Sequence, residues 1–241
     1  MQAIILAGGF GTRLQSIYNS GPKSMAPISG KPFLQYIIHT LKNANIKNIL
    51  ILTGYKYEFI ENYFQNGSKF GVNIEYSREN KPLGTGGAVF NSWNFLEDDF
   101  IIVNGDTFFD INYKKMIDFV KQRRIKALIA LTKVDNVERY GLVNIDNDYN
   151  VLSFIEKGAY TQEKGVKKYI NGGISYINKS VFQPFYKNWN NNALSLENDL
   201  FIELIRTKIL FALPFEGAFI DIGIPEDYNK AQTEIPKWIY G

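Results

Sequence analysis

A chain of 241 residues, 45% hydrophobic and 21% charged, has an ordinary soluble composition and is long enough to bury a substantial core. Its net charge of +3 is too small and dispersed for a nucleic-acid binder, Lys121 to Lys126 being the densest basic stretch, and no apolar run nears the ~18 residues of a membrane span. With no cysteine and a single histidine, His39, disulfides, thiolate catalysis and cysteine-ligated metal centres are excluded, which leaves carboxylates, lysine, arginine and backbone amides for any chemistry. The apolar start Ala3 to Ala7 lacks a basic flank and runs into glycines, so it reads as a buried strand and not a signal peptide. The cytoplasm is the expected compartment, with neither nucleic acid nor membrane as partner.

In chain order, the runs Ala3 to Ala7, Ile49 to Leu52, Val72 to Tyr76 and Phe100 to Val103 have strand length and sit beside Gly, Asn or Asp. Helix patterns separate them. Pro32 opens one before Phe33, Tyr36, Ile37 and Leu41, with His39 an ordinary member of it; others span Tyr57 to Phe64 and Gly87 to Leu96, and Asn112 caps a fourth with Met116, Phe119 and Val120 inward. Strands alternating with helices predict a mostly parallel, doubly wound sheet whose ligands bind at the carboxyl ends of the strands. The later half is mixed. Strands are expected at Ala127 to Val134, Leu142 to Ile145, Val151 to Glu156 and Ile170 to Ile177, with Asp146-Asn147-Asp148 as a hairpin turn. A helix follows Ser195, and strands follow at Ile209 to Leu213 and Ala218 to Ile222. No repeat, low-complexity tract or linker marks a boundary, so residues 1–241 read as a single domain.

After the first strand comes Ala7-Gly8-Gly9-Phe10-Gly11-Thr12-Arg13-Leu14. Three glycines in four positions let backbone N–H groups close on a phosphate. The turn is not a Walker loop, for no Gly-Lys-Ser/Thr follows, and Leu14 stands where a dinucleotide fingerprint needs glycine. Two cations strengthen a phosphate reading: Arg13 ends the loop and Lys23 follows Pro22.

The run Leu6 to Leu14 with Pro22-Lys23 resembles the signature of the sugar 1-phosphate nucleotidylyltransferase family. The likeness continues in the family's order through Pro82-Leu83-Gly84-Thr85-Gly86-Gly87-Ala88, Asn104-Gly105-Asp106, Glu156-Lys157, Asn171-Gly172-Gly173, Phe219 to Gly223 and Pro225 to Tyr228. Within the family, Asn104 to Ile111, Arg139-Tyr140-Gly141 and the Asn171 segment are most similar to the bacterial D-glycero-α-D-manno-heptose 1-phosphate guanylyltransferases.

The resemblance implies a Rossmann-like three-layer α/β domain with a mostly parallel, mixed central sheet. Residues about 1–110 would form a nucleotide half and about 111–241 a sugar-phosphate half. It implies direct transfer of a nucleotidyl group from GTP to a sugar 1-phosphate, with Mg²⁺ and without a covalent enzyme intermediate. Catalytic roles fall on Arg13, against the leaving pyrophosphate, on Lys23, touching both phosphate groups, and on Asp106. Leu6, Ala7, Gly8, Gly9, Gly11, Thr12, Arg13, Lys23, Gly84, Thr85, Gly86, Asn104 and Gly105 become nucleotide contacts; Gly141, Glu156, Lys157, Asn171 and Gly172 sugar-phosphate contacts; Asp106 and Asp221 metal ligands. Taken alone, Asp106 would read as a turn cap, Lys157 as a surface charge and Glu197, a weaker sugar candidate, as a helix N-terminal charge.

Alternatives within the class are a mannose 1-phosphate guanylyltransferase and a UTP- or CTP-dependent hexose 1-phosphate enzyme. More distant are a glycosyltransferase, against which Asn104-Gly105-Asp106 is not Asp-x-Asp, and a non-catalytic sugar-nucleotide-binding regulator, which has no need of the full charged set. Nothing hexapeptide-like follows Asp221, so no second catalytic domain is expected, and a homodimer stays open.

Overall fold

The computed structural model of the chain describes residues 1–9, 11–14, 16–134, 140–155 and 169–241. In order these form β1 (Gln2–Leu6), a small hairpin of β2 (Pro27–Ile28) and β3 (Lys31–Pro32), α1 (Phe33–Asn43), β4 (Asn48–Thr53), α2 (Tyr57–Phe64), β5 (Asn73–Arg78), α3 (Gly84–Asn91), β6 (Asp99–Asn104), β7 (Thr107–Phe109) and α4 (Tyr113–Arg123). Then come β8 (Ala127–Lys133), β9 (Leu142–Ile145), β10 (Val151–Ile155), β11 (Tyr169–Asn178), α5 (Gln183–Lys187), a π-helical turn Leu196–Phe201 running into α6 (Ile202–Arg206), β12 (Leu210–Pro214), β13 (Phe219–Asp221) and α7 (Pro225–Tyr240).

Nine of the described strands make one sheet. β5, β4, β1 and β6 lie side by side and parallel, Ile4 facing Leu50 on one side and Ile102 on the other. The sheet then turns antiparallel: β11 pairs with β6 and β8, β12 lies parallel to β8, and the β9–β10 hairpin joins β11 at Ile170. This is the mixed, mostly parallel sheet of a Rossmann-like α/β fold. Its central strands are apolar throughout because both faces are covered. Ala3, Ile5, Ile49, Ile51, Ile101 and Val103 pack under α1, α4 and α7, while Ile4, Leu50, Leu52, Phe100 and Ile102 pack under α3 and the segment after Leu196.

Several element bounds shift for physical reasons. Helix α3 begins at Gly84, not Gly87, and the chain enters it with Gly84 at a positive φ of 71°. It stops at Asn91, where the Ser92 hydroxyl donates to Val89 O, and a separate 3₁₀ turn covers Trp93–Phe95. β5 runs two residues past the expected end, since all six of its residues pair with β4. The hairpin turn at Asp146 forms as expected: its carboxylate accepts the Asp148 and Asn150 N–H groups and the Asn150 side chain, which hold its pKa low. α7 closes the chain, and Pro225 in its first turn beside Glu226 and Asp227 is its helix-start signal.

Candidate active site

From β1 the chain crosses to β4 on one side and later returns to β6 on the other. Between β1 and β6 the strand order reverses, and loops leaving the carboxyl ends diverge there and leave a crevice. A cavity of about 420 Å³ lies in it. Close backbone approaches shape its floor. The Gly105 N–H donates to Leu6 O at 2.9 Å, and a Cβ on Gly105 would sit 2.5 Å from that oxygen. Gly11 takes a φ of 60°, and a Cβ there would lie 2.7 Å from Lys23 Cβ, so the glycine lets the lysine stem pass.

Lys23 stands in a short 3₁₀ turn, Lys23–Met25, with only 9% of its side chain exposed. Its Nζ donates to Asp106 Oδ2 at 2.8 Å and to Asp221 Oδ1 at 3.3 Å. Asp106 follows β6. Asp221, far away in sequence, is delivered by the two-stranded ladder of β7 and β13, in which Asp221 faces Thr107. The Ile222 N–H closes the junction on Asp106 O at 3.1 Å. Burial, then the Asp106 charge, push the Asp221 carboxyl above its usual range, opposed by Lys23 and the Gly223 N–H. Such a pair suits Mg²⁺, which takes one or two protein carboxylates and completes its shell with water and phosphate oxygens. Asp106 is 43% exposed, open enough for a shared ion, and no group of three or more candidate ligands converges among the described residues. Arg13, exposed at the cavity wall, makes no ion pair among the described residues.

Glu79, just after β5, also lines this cavity and carried no signal in the sequence, where a glutamate after an edge strand looks like a solvated charge. Its backbone N–H donates to Thr53 O, and one carboxylate oxygen, Oε2, accepts the Leu83 N–H at 3.2 Å. Room for the other oxygen comes from two glycines, since a Cβ on Gly8 or Gly54 would lie 2.7 or 2.8 Å from Glu79 Oε1. Burial raises its pKa, partly offset by the Leu83 N–H.

A second segment fastens the cavity wall from outside. Leu194 O accepts the Gly86 and Gly87 N–H groups at 2.8 and 3.1 Å, the Leu194 N–H donates to Leu83 O, and the Leu196 N–H donates to Thr85 Oγ1 at 2.8 Å. The next residue, Glu197, accepts from Asn171 Nδ2 at 2.7 Å, while Asn171 Oδ1 accepts the Gly173 N–H. Asn171 stands where β11 bulges: its register against β8 passes from Asn171–Leu131 to Ser175–Ile129. Gly173, with a φ of 76°, allows the bulge to pack against Asn104, and Gly172 clears the Phe109 ring.

Of the residues marked in the sequence, Leu6, Ala7, Gly8, Gly9, Gly11, Arg13, Lys23, Gly84, Thr85, Asn104, Gly105 and Asp106 line this one cavity, and Asp221 reaches it through Lys23. Thr12 lies in the same turn, and Gly86 is buried behind the wall, its N–H already taken by Leu194. Gly141, Asn171 and Gly172 lie outside the cavity wall, on the side of the sheet where β9 meets β11. Arg139, Glu156 and Lys157 fall outside the described residues. No helix of the described residues is long and apolar enough to cross a membrane.

A family model for nucleotidyl transferases matches residues 2–237. The D-glycero-α-D-manno-heptose 1-phosphate guanylyltransferase of Campylobacter jejuni is 42% identical over 228 residues, 95% of this chain and 97% of that one. The protein of the same name from Aneurinibacillus thermoaerophilus is 40% identical over 240 residues, 99% of this chain and 100% of the other. Among solved structures, HddC from Yersinia pseudotuberculosis complexed with GMP-PN superposes with a TM-score of 0.81 at 35% identity, over 97% of this chain and 98% of that chain.

Proposed function

We propose, from the premise that this chain belongs to the nucleotidyl transferase family, that it transfers the guanylyl group of GTP to D-glycero-α-D-manno-heptose 1-phosphate. The observation that carries the reaction class is the convergence of Lys23, Asp106 and Asp221 beside a glycine-walled cavity with Arg13 at its rim. The substrate pair is supported by two full-length relatives that bear that substrate in their names.

A phosphate oxygen of the sugar attacks the α-phosphorus of the triphosphate; the bond to the β-phosphate bridging oxygen breaks, and pyrophosphate departs with its electron pair. Two polyanions must meet. Each pair of unit charges at 4 Å repels by about 1 kcal/mol in water and about 4 kcal/mol at a protein-like dielectric, so positioned cations dominate the catalysis. Backbone N–H groups of Gly8, Gly9 and Gly11 face the phosphates, Arg13 holds the departing pyrophosphate, and Lys23 neutralises phosphate oxygens between the two substrates. Asp106 and Asp221 are the residues that would hold Mg²⁺, which would supply further positive charge to the phosphate oxygens. The base lies toward Glu79, Gly84 and Thr85, and the sugar phosphate toward Asn171, Gly172 and Gly141; the resemblance adds Glu156 and Lys157 as sugar-phosphate contacts. In this reading residues 1–241 act as one domain in the cytoplasm, feeding an activated heptose into surface polysaccharide assembly.

The test is kcat/KM for four nucleoside triphosphates against several sugar 1-phosphates, followed by pyrophosphate release. GTP with the heptose phosphate is expected to be best. Mannose 1-phosphate lacks one hydroxyl-bearing carbon, and leaving its buried partners unpaired costs about 1–3 kcal/mol, up to roughly a hundredfold. A preference for glucose or mannose 1-phosphate would overturn the heptose and leave the reaction class standing.

Glu79 gives a second check. Guanine presents its N1–H and exocyclic amino group side by side, and a half-buried carboxylate such as Glu79 can accept both; adenine offers no donor at N1. Hydrogen bonds to charged groups contribute about 1.5–3 kcal/mol, so Glu79→Gln should lower kcat/KM for GTP by roughly ten- to a hundredfold and leave ATP nearly unchanged. An unaltered GTP-to-ATP ratio would remove Glu79 from base selection.

A further inference from the structure

The two carboxylates assigned to a divalent ion already hold a cation. Lys23 Nζ touches both, Asp106 at 2.8 Å and Asp221 at 3.3 Å, and its side chain is nine-tenths buried. The contact is built from the backbone outward. Met25 N–H donates to Pro22 O and Ala26 N–H to Lys23 O, which fixes the turn, and Gly11 clears the start of the side chain. Around the far end, Asp221 Oδ1 also accepts the Gly223 N–H at 2.7 Å, and a Cβ on Gly223 would lie 3.1 Å from Lys23 Nζ.

A divalent ion must contact the same oxygens at about 2.0–2.1 Å if it is Mg²⁺, and an ammonium already bonded to them stands in its way. Like charges at such range repel strongly where water is scarce. With the lysine in place the pair of aspartates presents a net charge of about −1; without it, about −2. Two carboxylates are also only part of a metal shell, so the remaining ligands must come from elsewhere.

We infer that Lys23 is a tethered counter-ion, which holds the cation position between Asp106 and Asp221 until a triphosphate brings both the metal and new anionic partners for the lysine. Lys23 then exchanges carboxylate oxygens for phosphate oxygens. Free metal is thereby kept out of the protein when no nucleotide is present, and metal and nucleotide enter together. The inference rests on reading the two aspartates as metal ligands and is independent of which base or sugar is used.

The test uses Mn²⁺ alone, titrated into the full chain without nucleotide and followed by calorimetry and by the spin resonance of free Mn²⁺. Lys23→Met should bind one Mn²⁺ at least tenfold more tightly than the wild type, and its melting temperature should rise with Mn²⁺ far more than the wild type's. Adding Asp106→Asn to that variant should abolish the gain. Lys23→Gln, which keeps chain length and hydrogen-bond donors without the charge, serves if the methionine variant does not fold. Equal Mn²⁺ affinity in wild type and variants, or a gain that survives Asp106→Asn, overturns the counter-ion. Turnover is not the readout: a chain that consumes GTP yet shows equal Mn²⁺ affinities loses this inference alone, whereas variants that gain affinity in a chain that consumes no triphosphate uphold it and sink the proposed reaction.

Discussion

Replacing Asp106 by asparagine should lower kcat at least a hundredfold, about 2.7 kcal/mol of transition-state stabilisation, while the chain stays folded. The side chain is 43% exposed and, among the described residues, engages only Lys23 and the Thr107 hydroxyl, so little packing is lost. Asparagine keeps the volume and one carbonyl oxygen but removes the negative charge that attracts both the lysine and a divalent ion. Pyrophosphate release at saturating Mg²⁺, with thermal melting as the control, gives the measurement. A kcat within a few-fold of wild type would refute the metal role of this carboxylate.

The neighbouring position should fail for a different reason. A methyl group at Gly105 would lie 2.5 Å from Leu6 O, 3.3 Å from Leu6 C and 3.4 Å from Ala7 Cα, all backbone atoms of β1 and its loop. No rotamer relieves this. Either the ends of β1 and β6 part, with loss of the Gly105 N–H to Leu6 O bond, or the loop is displaced from the cavity. Gly105→Ala is therefore expected to cost about 2–4 kcal/mol and roughly 5–10 °C in Tm, and to depress activity through the misplaced phosphate loop. Gly9 is the control, since a Cβ there meets nothing within 4 Å; Gly9→Ala should melt within about 1–2 °C of wild type. Equal melting of both variants would show that the close contact at Gly105 carries no strain.

What the sequence made readable follows from burial. β1, β4 and β6 are covered on both faces, so they appear as unbroken apolar runs, and the chemistry-bearing loops come directly after them in the chain. Leu6 to Arg13 and Asn104 to Asp106 could therefore be marked without knowing any pairing. Glu79 could not. Its burial depends on Gly8 and Gly54 in two other loops, and no local pattern records that. Nor does any local pattern pair β7 with β13, strands of three residues each, yet that ladder delivers Asp221 beside Asp106. Gly86 shows the converse: its place in a glycine-rich motif suggested a backbone free to meet a nucleotide, while its N–H is held by Leu194, more than a hundred residues later.

That attachment also sets the unit in which specificity can be exchanged between such proteins. The stretch from Asn188 to Leu194 is polar and mostly exposed, the kind of surface loop that tolerates changes in length. Its far end, however, is bonded to Leu83, Gly86 and Gly87, and the very next turn, whose Leu196 N–H is bonded to Thr85, carries the glutamate that holds Asn171. A graft that imports a new wall between positions 79 and 87 without the matching segment 192–197 leaves amides and a carbonyl without partners at the same point where the pocket must be rigid. The transplantable module is thus discontinuous in the chain, two short pieces that have to be cut and moved as one.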